Sequence, residues 1–271
     1  MSYIQEMFGL QKKTIILTGG GGAIAGALAE AYLNAGANVA LWDIKLEFAE
    51  AAAERLSTAS GITGKILPVE VDAMSEDSVG LALEKTFTHF GSIDVLVNAA
   101  GGNRGKSPFV ETDVALFESI VRLNLVAGLL VPTKVTAAWW IKNKKQGSII
   151  NLASMSSYIP LSGVWAYDAA KAGVLNLTMA TAKEFAADGI RVNALAPGFF
   201  LGKQNKALLI DENTGDLTPR GNDVINHTPF GRFGDVSELA GAALFLANDK
   251  AAGFITGVTI PIDGGYLVHN I

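Results

Sequence analysis

The chain has 271 residues, 49% of them hydrophobic and 17% charged, with a formal net charge of −5. That apolar share supports a packed core and argues against disorder. The acidic balance argues against nucleic acid or an anionic membrane surface as a partner, because both require a dense positive field, and favours a small-molecule ligand. Cysteine is absent, which removes disulfides, thiolate nucleophiles and Cys-ligated zinc or iron–sulfur clusters together and fits a reducing compartment.

The opening residues, MSYIQEMFGLQKK, place polar groups every few positions and lack the apolar core of a secretory signal, so a cytoplasmic location is expected. Short β-branched runs then alternate with longer helical segments: residues 14–18, 37–43, 65–71, 94–98, 147–153, 190–196 and 257–263. Their hydrophobicity is continuous rather than alternating, as in parallel strands covered on both faces. The expected architecture is α/β, a doubly wound (Rossmann) seven-stranded parallel sheet with helices on both faces. Helical signals occupy residues 23–35, 75–90 and 165–188, the last closing at Gly189. Apolar stretches such as 125–133 meet Lys134 or a proline well before the roughly 20 residues a bilayer span needs, so no membrane crossing is expected. With no linker, repeat or low-complexity tract, residues 1–271 read as one domain. The irregular stretch at about 199–232 reads as a substrate loop or lid.

TGGGGAIAG, residues 18–26, follows the first strand and opens the first helix, where bare backbone N–H groups and the helix dipole favour a phosphate. Gly19, Gly21, Gly22, Ala23 and Ile24 are the candidate contacts, although a tight strand-to-helix turn uses glycines too. Asp43, ending the second strand with Ile44 beside it, can accept both hydroxyls of an adenosine ribose and would repel a 2′-phosphate, favouring NAD(H) over NADP. It could also serve as the N-cap of a helix over residues 44–56. Asp72 and Ala73 close the third strand, and Asn98, Ala99, Ala100 and Gly101 close the fourth, at the edge where such sheets bind ligands. Turn chemistry is the alternative for each.

After the fifth strand come Ser154 and then Tyr167 and Lys171 in YDAAK, the last two on one helical face. A phenol is a poor base at neutral pH, but a nearby ammonium favours the phenolate. Ser154 could hold a substrate oxygen by hydrogen bond. Taken singly, Tyr and Lys at this spacing are commonly a surface pair. The histidines, His89, His227 and His269, lack metal-site spacing, so no metal is expected; His227 suits a loop or a functional role.

The set TGGGGAIAG, Asp72, NAAG, Asn124, Ser154, YDAAK and APG (residues 196–198) resembles the short-chain dehydrogenase/reductase family over nearly the whole chain. The resemblance implies Tyr167 as general acid/base, Lys171 lowering its pKa and binding the nicotinamide ribose, Ser154 orienting substrate and Asn124 sustaining a water-linked proton relay. It further implies Asp72 at the adenine, Asn98 by the adenosine ribose, and Pro197, Gly198, Phe199 and Phe200 beside the nicotinamide amide. Ala23 and Ala25 stand where the family pattern has glycines, and a methyl at each would push the turn away from the cofactor. Leu201 replaces a frequent threonine. Family members are usually tetramers, so a homotetramer is implied, for which residues 137–140 and 185–187 could supply surface.

Within the family, the glycine-rich start, GGNRGKSPF and PGFF…QN…LTPRG…HTPFGRFGD resemble bacterial reductases of sugar acids, the D-mannonate oxidoreductase (fructuronate reductase) group. Asn103, Arg104, Lys106, Lys203, Gln204, Asn205 and Arg220 offer donors for a polyhydroxylated carboxylate, with Arg104, Lys203 or Arg220 the candidate partners of its charge. A 3-ketoacyl carrier-protein reductase shares almost every motif, but would be expected to prefer NADPH. An NADH-sensing regulator would be expected to lack a catalytic residue. A sugar-nucleotide epimerase needs a longer chain.

Overall fold

The computed structural model describes residues 2–61, 64–202, 206–211 and 214–269. All seven apolar runs form strands: β1 (Thr14–Thr18), β2 (Asn38–Asp43), β3 (Ile66–Glu70), β4 (Val95–Asn98), β5 (Gly147–Leu152), β6 (Ile190–Pro197) and β7 (Thr259–Ile262). They pair in parallel in the order β3-β2-β1-β4-β5-β6-β7. Helices between them are α1 (Tyr3–Phe8), α2 (Ala23–Asn34), α3 (Leu46–Ser60), α4 (Glu76–Phe90), α5 (Val114–Val121), α6 (Val131–Lys142), α7 (Trp165–Glu184), α8 (Lys206–Leu209), α9 (Pro219–Asn226), α10 (Ala240–Ala247) and α11 (Asp249–Ala252). A π-helical segment, Arg122–Leu130, joins α5 to α6.

Alternation along β1 divides the core. Ile15 and Leu17 pack with Leu28 and Tyr32 of α2, Ala52 of α3 and Leu246 of α10. Ile16, on the opposite face, packs with Leu83 of α4, Val131 and Trp140 of α6 and Ala182 of α7. Every residue of β1, β4, β5 and β6 is buried, which explains their unbroken apolar character. Both buried tryptophans satisfy their polar atoms, as Trp140 Nε1 donates to the Ile93 carbonyl at 2.8 Å and Trp42 Nε1 to Thr86 Oγ1 at 3.2 Å.

Gly147 shows how tight this layer is. A methyl carbon there would lie 2.6 Å from the fully buried Trp140 ring. Gly147→Ala is therefore expected to cost about 1–3 kcal/mol through overpacking, measured as a lower urea midpoint at unchanged m-value.

Several expectations change. The lid is not irregular throughout, because Thr218 caps α9 by accepting the Gly221 N–H at 3.0 Å, with Pro219 in the first turn. A short α1 precedes the sheet, started by a Ser2–Gln5 capping box. Residues Val114–Lys142 form a continuous 29-residue helical run that is long and apolar enough to cross a membrane by length and composition. Pro132 does not end this run because it falls in the first turn of α6, and Lys134 pairs with Glu76 of α4. In this fold the run covers one face of the sheet, with Val131, Ala137 and Trp140 in the core. That burial also removes Ala137 and Trp140 from the surface expected to support assembly.

Candidate active site

The crevice lies where β1 and β4 are neighbours while their connections lead to opposite sides, the switch point at which such sheets bind ligands. Thr18 Oγ1 ties the two strand ends together by accepting the N–H groups of Ala99 at 3.0 Å and Ala100 at 3.1 Å. Gly19 follows with φ 63°, and a Cβ there would be 2.9 Å from Ala100 Cα, so only glycine fits this approach. Gly22 caps α2 without a side-chain acceptor, leaving first-turn N–H groups of the kind a pyrophosphate takes. Asp43 Oδ2 accepts the Gly21 N–H at 2.9 Å, which sets the carboxylate against the glycine turn. The N-cap of α3 is Lys45, so Asp43 is not its cap. Exposed Ile44 adjoins it. A Cβ-free turn, uncapped donors and a carboxylate at the end of β2 together fit a nicotinamide dinucleotide.

Other expected contacts are placed differently. Asp72 is exposed and Oδ1 accepts the Met74 N–H at 2.9 Å, a turn role that leaves its second oxygen open; Ala73 is half-buried beside it. The Asn98 side chain faces away from the crevice: Nδ2 donates to Thr133 Oγ1 and Asn151 Oδ1, both at 2.8 Å, so it braces β4 against β5 and α6 and leaves only main chain near a ribose. Ala25 is 2% exposed and packs in the core, so its methyl does not push the turn outward, whereas Ala23 is exposed at the helix start. Pro197 ends β6, and the Gly198 N–H donates to the Ile262 carbonyl. Phe200 buries its ring in the core, and the Phe199 carbonyl accepts the Gly234 N–H. Any contact of Phe200 with the nicotinamide side is therefore through its backbone.

The proton-transfer group is assembled from β5 and α7. The Ser154 hydroxyl stands beside the Tyr167 hydroxyl, and its Oγ accepts the Ser156 N–H at 3.1 Å. Lys171 Nζ stands over the Tyr167 ring, 5.5 Å from its centroid, and donates to the Leu152 carbonyl at 2.6 Å. Burial pushes the Tyr167 phenol above its usual range against the opposing influence of the Ser154 hydroxyl, and brings the Lys171 ammonium down to about 8. Asn124 is fully buried, with Oδ1 accepting the Gly102 N–H and Nδ2 donating to the carbonyls of Gly102 and Ile120. Both amide hydrogens are used, so the side chain positions residues 101–102 and a relay through Asn124 has only its main chain. Gly101 is required here, since a Cβ would lie 2.6 Å from Asn124 Oδ1.

The π-helical segment around Asn124 was not expected. Its wider turns end where the Val131 N–H reaches the Val126 carbonyl, one residue further than in an α-helix, just before Pro132. Gly128 presses on the Ala100 carbonyl, 2.7 Å from where a Cβ would be. The only sequence cue is the pairing of Gly128 with Pro132, whose ring would clash with the Gly128 carbonyl in a regular α-helix.

The substrate candidates divide. Arg104 and Lys106 line a cavity of about 160 Å³ near the start of α7 that they share with Glu111 and Asp113. Asn103 turns back on its loop to donate to the Gly105 carbonyl. Lys203, Gln204 and Asn205 lie outside the described residues. Arg220, on α9, is half-buried without an ion pair among the described residues, and its charge reaches Tyr266. Tyr266 packs on Phe199 with centroids 5.4 Å apart, and the His227 ring lies 6.3 Å from Tyr266 and 5.2 Å from His269. This cluster follows directly on the Pro197–Gly198 step, whereas His227 Nδ1 also contacts the Asp223 carbonyl. Among the described residues no group of acidic or histidine side chains could hold a metal.

A family model described as enoyl-(acyl carrier protein) reductase matches residues 21–267. The chain is 36% identical to 5-keto-D-gluconate 5-reductase of Escherichia coli K12, covering 98% of this chain and 99% of that protein. A Haemophilus influenzae structure named as a candidate D-mannonate oxidoreductase, with NAD bound, superposes with TM-score 0.89 at 35% identity, covering 98% and 99% of the two chains. Gluconate 5-dehydrogenase of Burkholderia cenocepacia, in complex with NADP and tartrate, gives TM-score 0.86 at 31% identity, covering 98% and 99%.

Proposed function

The chain belongs to the short-chain dehydrogenase/reductase family, and we propose that it is an NAD(H)-dependent oxidoreductase interconverting a secondary alcohol and a ketone of a sugar acid, of the D-mannonate/D-fructuronate or ketogluconate type. The observation that carries the reaction is the Ser154 hydroxyl beside the Tyr167 hydroxyl with Lys171 Nζ over the ring. Bound in the crevice, the nicotinamide supplies the hydride donor or acceptor. Ser154 and Tyr167 hold the substrate oxygen, and Tyr167 Oη gives it a proton or removes one. Lys171 stabilises the phenolate form. Asp43 supports NAD(H), although relatives occur with either dinucleotide.

The acid half rests on Arg220. Arg104 and Lys106 already share their cavity with two carboxylates, whereas Arg220 has none among the described residues and its charge reaches Tyr266. A guanidinium paired with a substrate carboxylate contributes about 1.5–3 kcal/mol, so Arg220→Met is expected to raise KM for a keto-aldonate by about 10- to 100-fold with little change in kcat. An unchanged KM would move the carboxylate elsewhere. Assembly as a homotetramer in the cytoplasm belongs to the same proposal, with Val114 and Leu116 of α5 and Met179 of α7 as exposed apolar contacts.

The test follows NAD(H) absorbance across aldonates, ketogluconates, polyols and hydroxyacyl thioesters. Turnover confined to the acids supports the proposal. Preference for thioesters with NADPH would make the protein a 3-ketoacyl carrier-protein reductase. Dinucleotide binding without turnover of any substrate would make it a sensor.

A further inference from the structure

Helix α7 carries a third buried ionisable residue between Tyr167 and Lys171 that neither proton transfer nor cofactor binding uses. Asp168 is 8% exposed and makes no ion pair with a described residue. Its Oδ2 accepts the Leu161 N–H at 3.2 Å, and Oδ1 has no hydrogen-bond partner among the described residues. The buried Ser156 hydroxyl lies beside the carboxylate outside hydrogen-bond geometry. Leu161 and Ser156 both belong to the segment between β5 and α7 that begins with Ser154. The same segment meets α7 a second time. Ser157 Oγ accepts the Ser154 N–H at 3.2 Å and donates to the Lys171 carbonyl at 2.7 Å, so the main chains of two catalytic residues join on one hydroxyl.

We propose that Asp168 and Ser157 are positioning residues that pin the Ser154 segment to helix α7 at two points and so fix the Ser154 hydroxyl against the Tyr167 hydroxyl. The proposal rests on the assignment of Ser154, Tyr167 and Lys171 to the chemistry. A carboxylate with no cation to neutralise it is a poor choice for a purely structural contact in a buried place, because its desolvation is not offset by an ion pair. Here the charge also faces the phenol. In its ionised form Asp168 opposes formation of the Tyr167 phenolate, while the Lys171 ammonium over the ring and the neighbouring Ser154 hydroxyl favour it. From the elements packed on α7, Glu118 of α5 and Arg122 of the π-helical segment are exposed and pair with neither residue. Lys183 and Glu184 lie at its far end.

The test uses Asp168→Ala, Asp168→Asn and Ser157→Ala in the full chain. Asp168→Ala and Ser157→Ala are expected to lower kcat by about tenfold or more through misplacement of Ser154, with dinucleotide affinity unchanged. Asp168→Asn keeps an acceptor for Leu161 and recovers most of the loss. The asparagine is also expected to shift ionisation of Tyr167 to lower pH, read without turnover as the near-ultraviolet tyrosinate signal that Tyr167→Phe removes. That readout survives if no substrate of the proposed class is found, so the two failures are distinguishable. If Asp168→Ala does not fold, Asp168→Asn and Ser157→Ala decide. Parental kcat in Ser157→Ala with an unchanged Tyr167 titration in Asp168→Asn would overturn the proposal.

Discussion

Replacing Tyr167 by Phe is expected to lower kcat by about 100- to 10,000-fold in both directions of the reaction while dinucleotide affinity stays that of the parent. The substitution removes the hydroxyl that stands beside the Ser154 hydroxyl and leaves a ring that can still pack under Lys171 Nζ. The pH dependence has a definite sign. Phenolate takes the proton of an alcohol and phenol gives one to a ketone, so oxidation rises and reduction falls as pH passes through the phenol's ionisation. Burial holds that ionisation above the usual range. The Lys171 ammonium, brought down to about 8, is charged below that pH and loses its charge above it. Support for the phenolate is therefore strongest on the acid side of pH 8, and Lys171→Met is expected to move the oxidation limb upward. Profiles of kcat/KM against pH for the parent and both variants check this. A Tyr167→Phe protein within about tenfold of the parent would assign the proton to another group.

What was legible in the sequence was what depends on near neighbours. TIILT gave β1 its bounds because five consecutive buried residues need no partner pattern to be recognised. Its successor at the other edge was overestimated, since Gly257 turns the chain at φ 78° before β7 begins. The order Asp43, Ser154, Tyr167, Lys171 marks the candidate site because Asp43 ends β2, Ser154 follows closely on β5 and Tyr167 shares a turn of α7 with Lys171. The turn at Thr218–Pro219 and the Ser2–Gln5 box are ordinary helix starts that the irregular composition around them concealed. Long-range placement was not legible. Nothing near Asn98 says that its amide will meet Thr133 and Asn151, and Ala25 reads as a turn residue until α2 is laid against the sheet. Asp168 reads as a spacer in YDAAK. Its burial depends on residues 156–161 folding back over it, which only the tertiary structure supplies.

Replacing Asp43 by Ala is expected to lower kcat/KM for NADH by about 10- to 100-fold and to raise it for NADPH, narrowing or reversing the preference. Two effects act in the same direction. The carboxylate ends β2 with Oδ2 on the Gly21 N–H, where its second oxygen can accept ribose hydroxyls, and alanine offers neither acceptor. The same charge repels a 2′-phosphate, a repulsion of up to about 4 kcal/mol for charges 4 Å apart near a protein surface, which alanine relieves. Lys45 is the neighbouring cation. Its ammonium lies 5.2 Å from the Phe48 ring and 3.4 Å from Glu47, an exposed pairing that holds it weakly. Freed of Asp43, a phosphate could recruit it, so Asp43→Ala with Lys45→Met is expected to lose the gain with NADPH while keeping the loss with NADH. Initial rates with both dinucleotides separate the contributions. If the parent already prefers NADPH, or if Asp43→Ala changes neither constant, Asp43 does not set cofactor choice and the carboxylate serves only to hold the Gly21 turn.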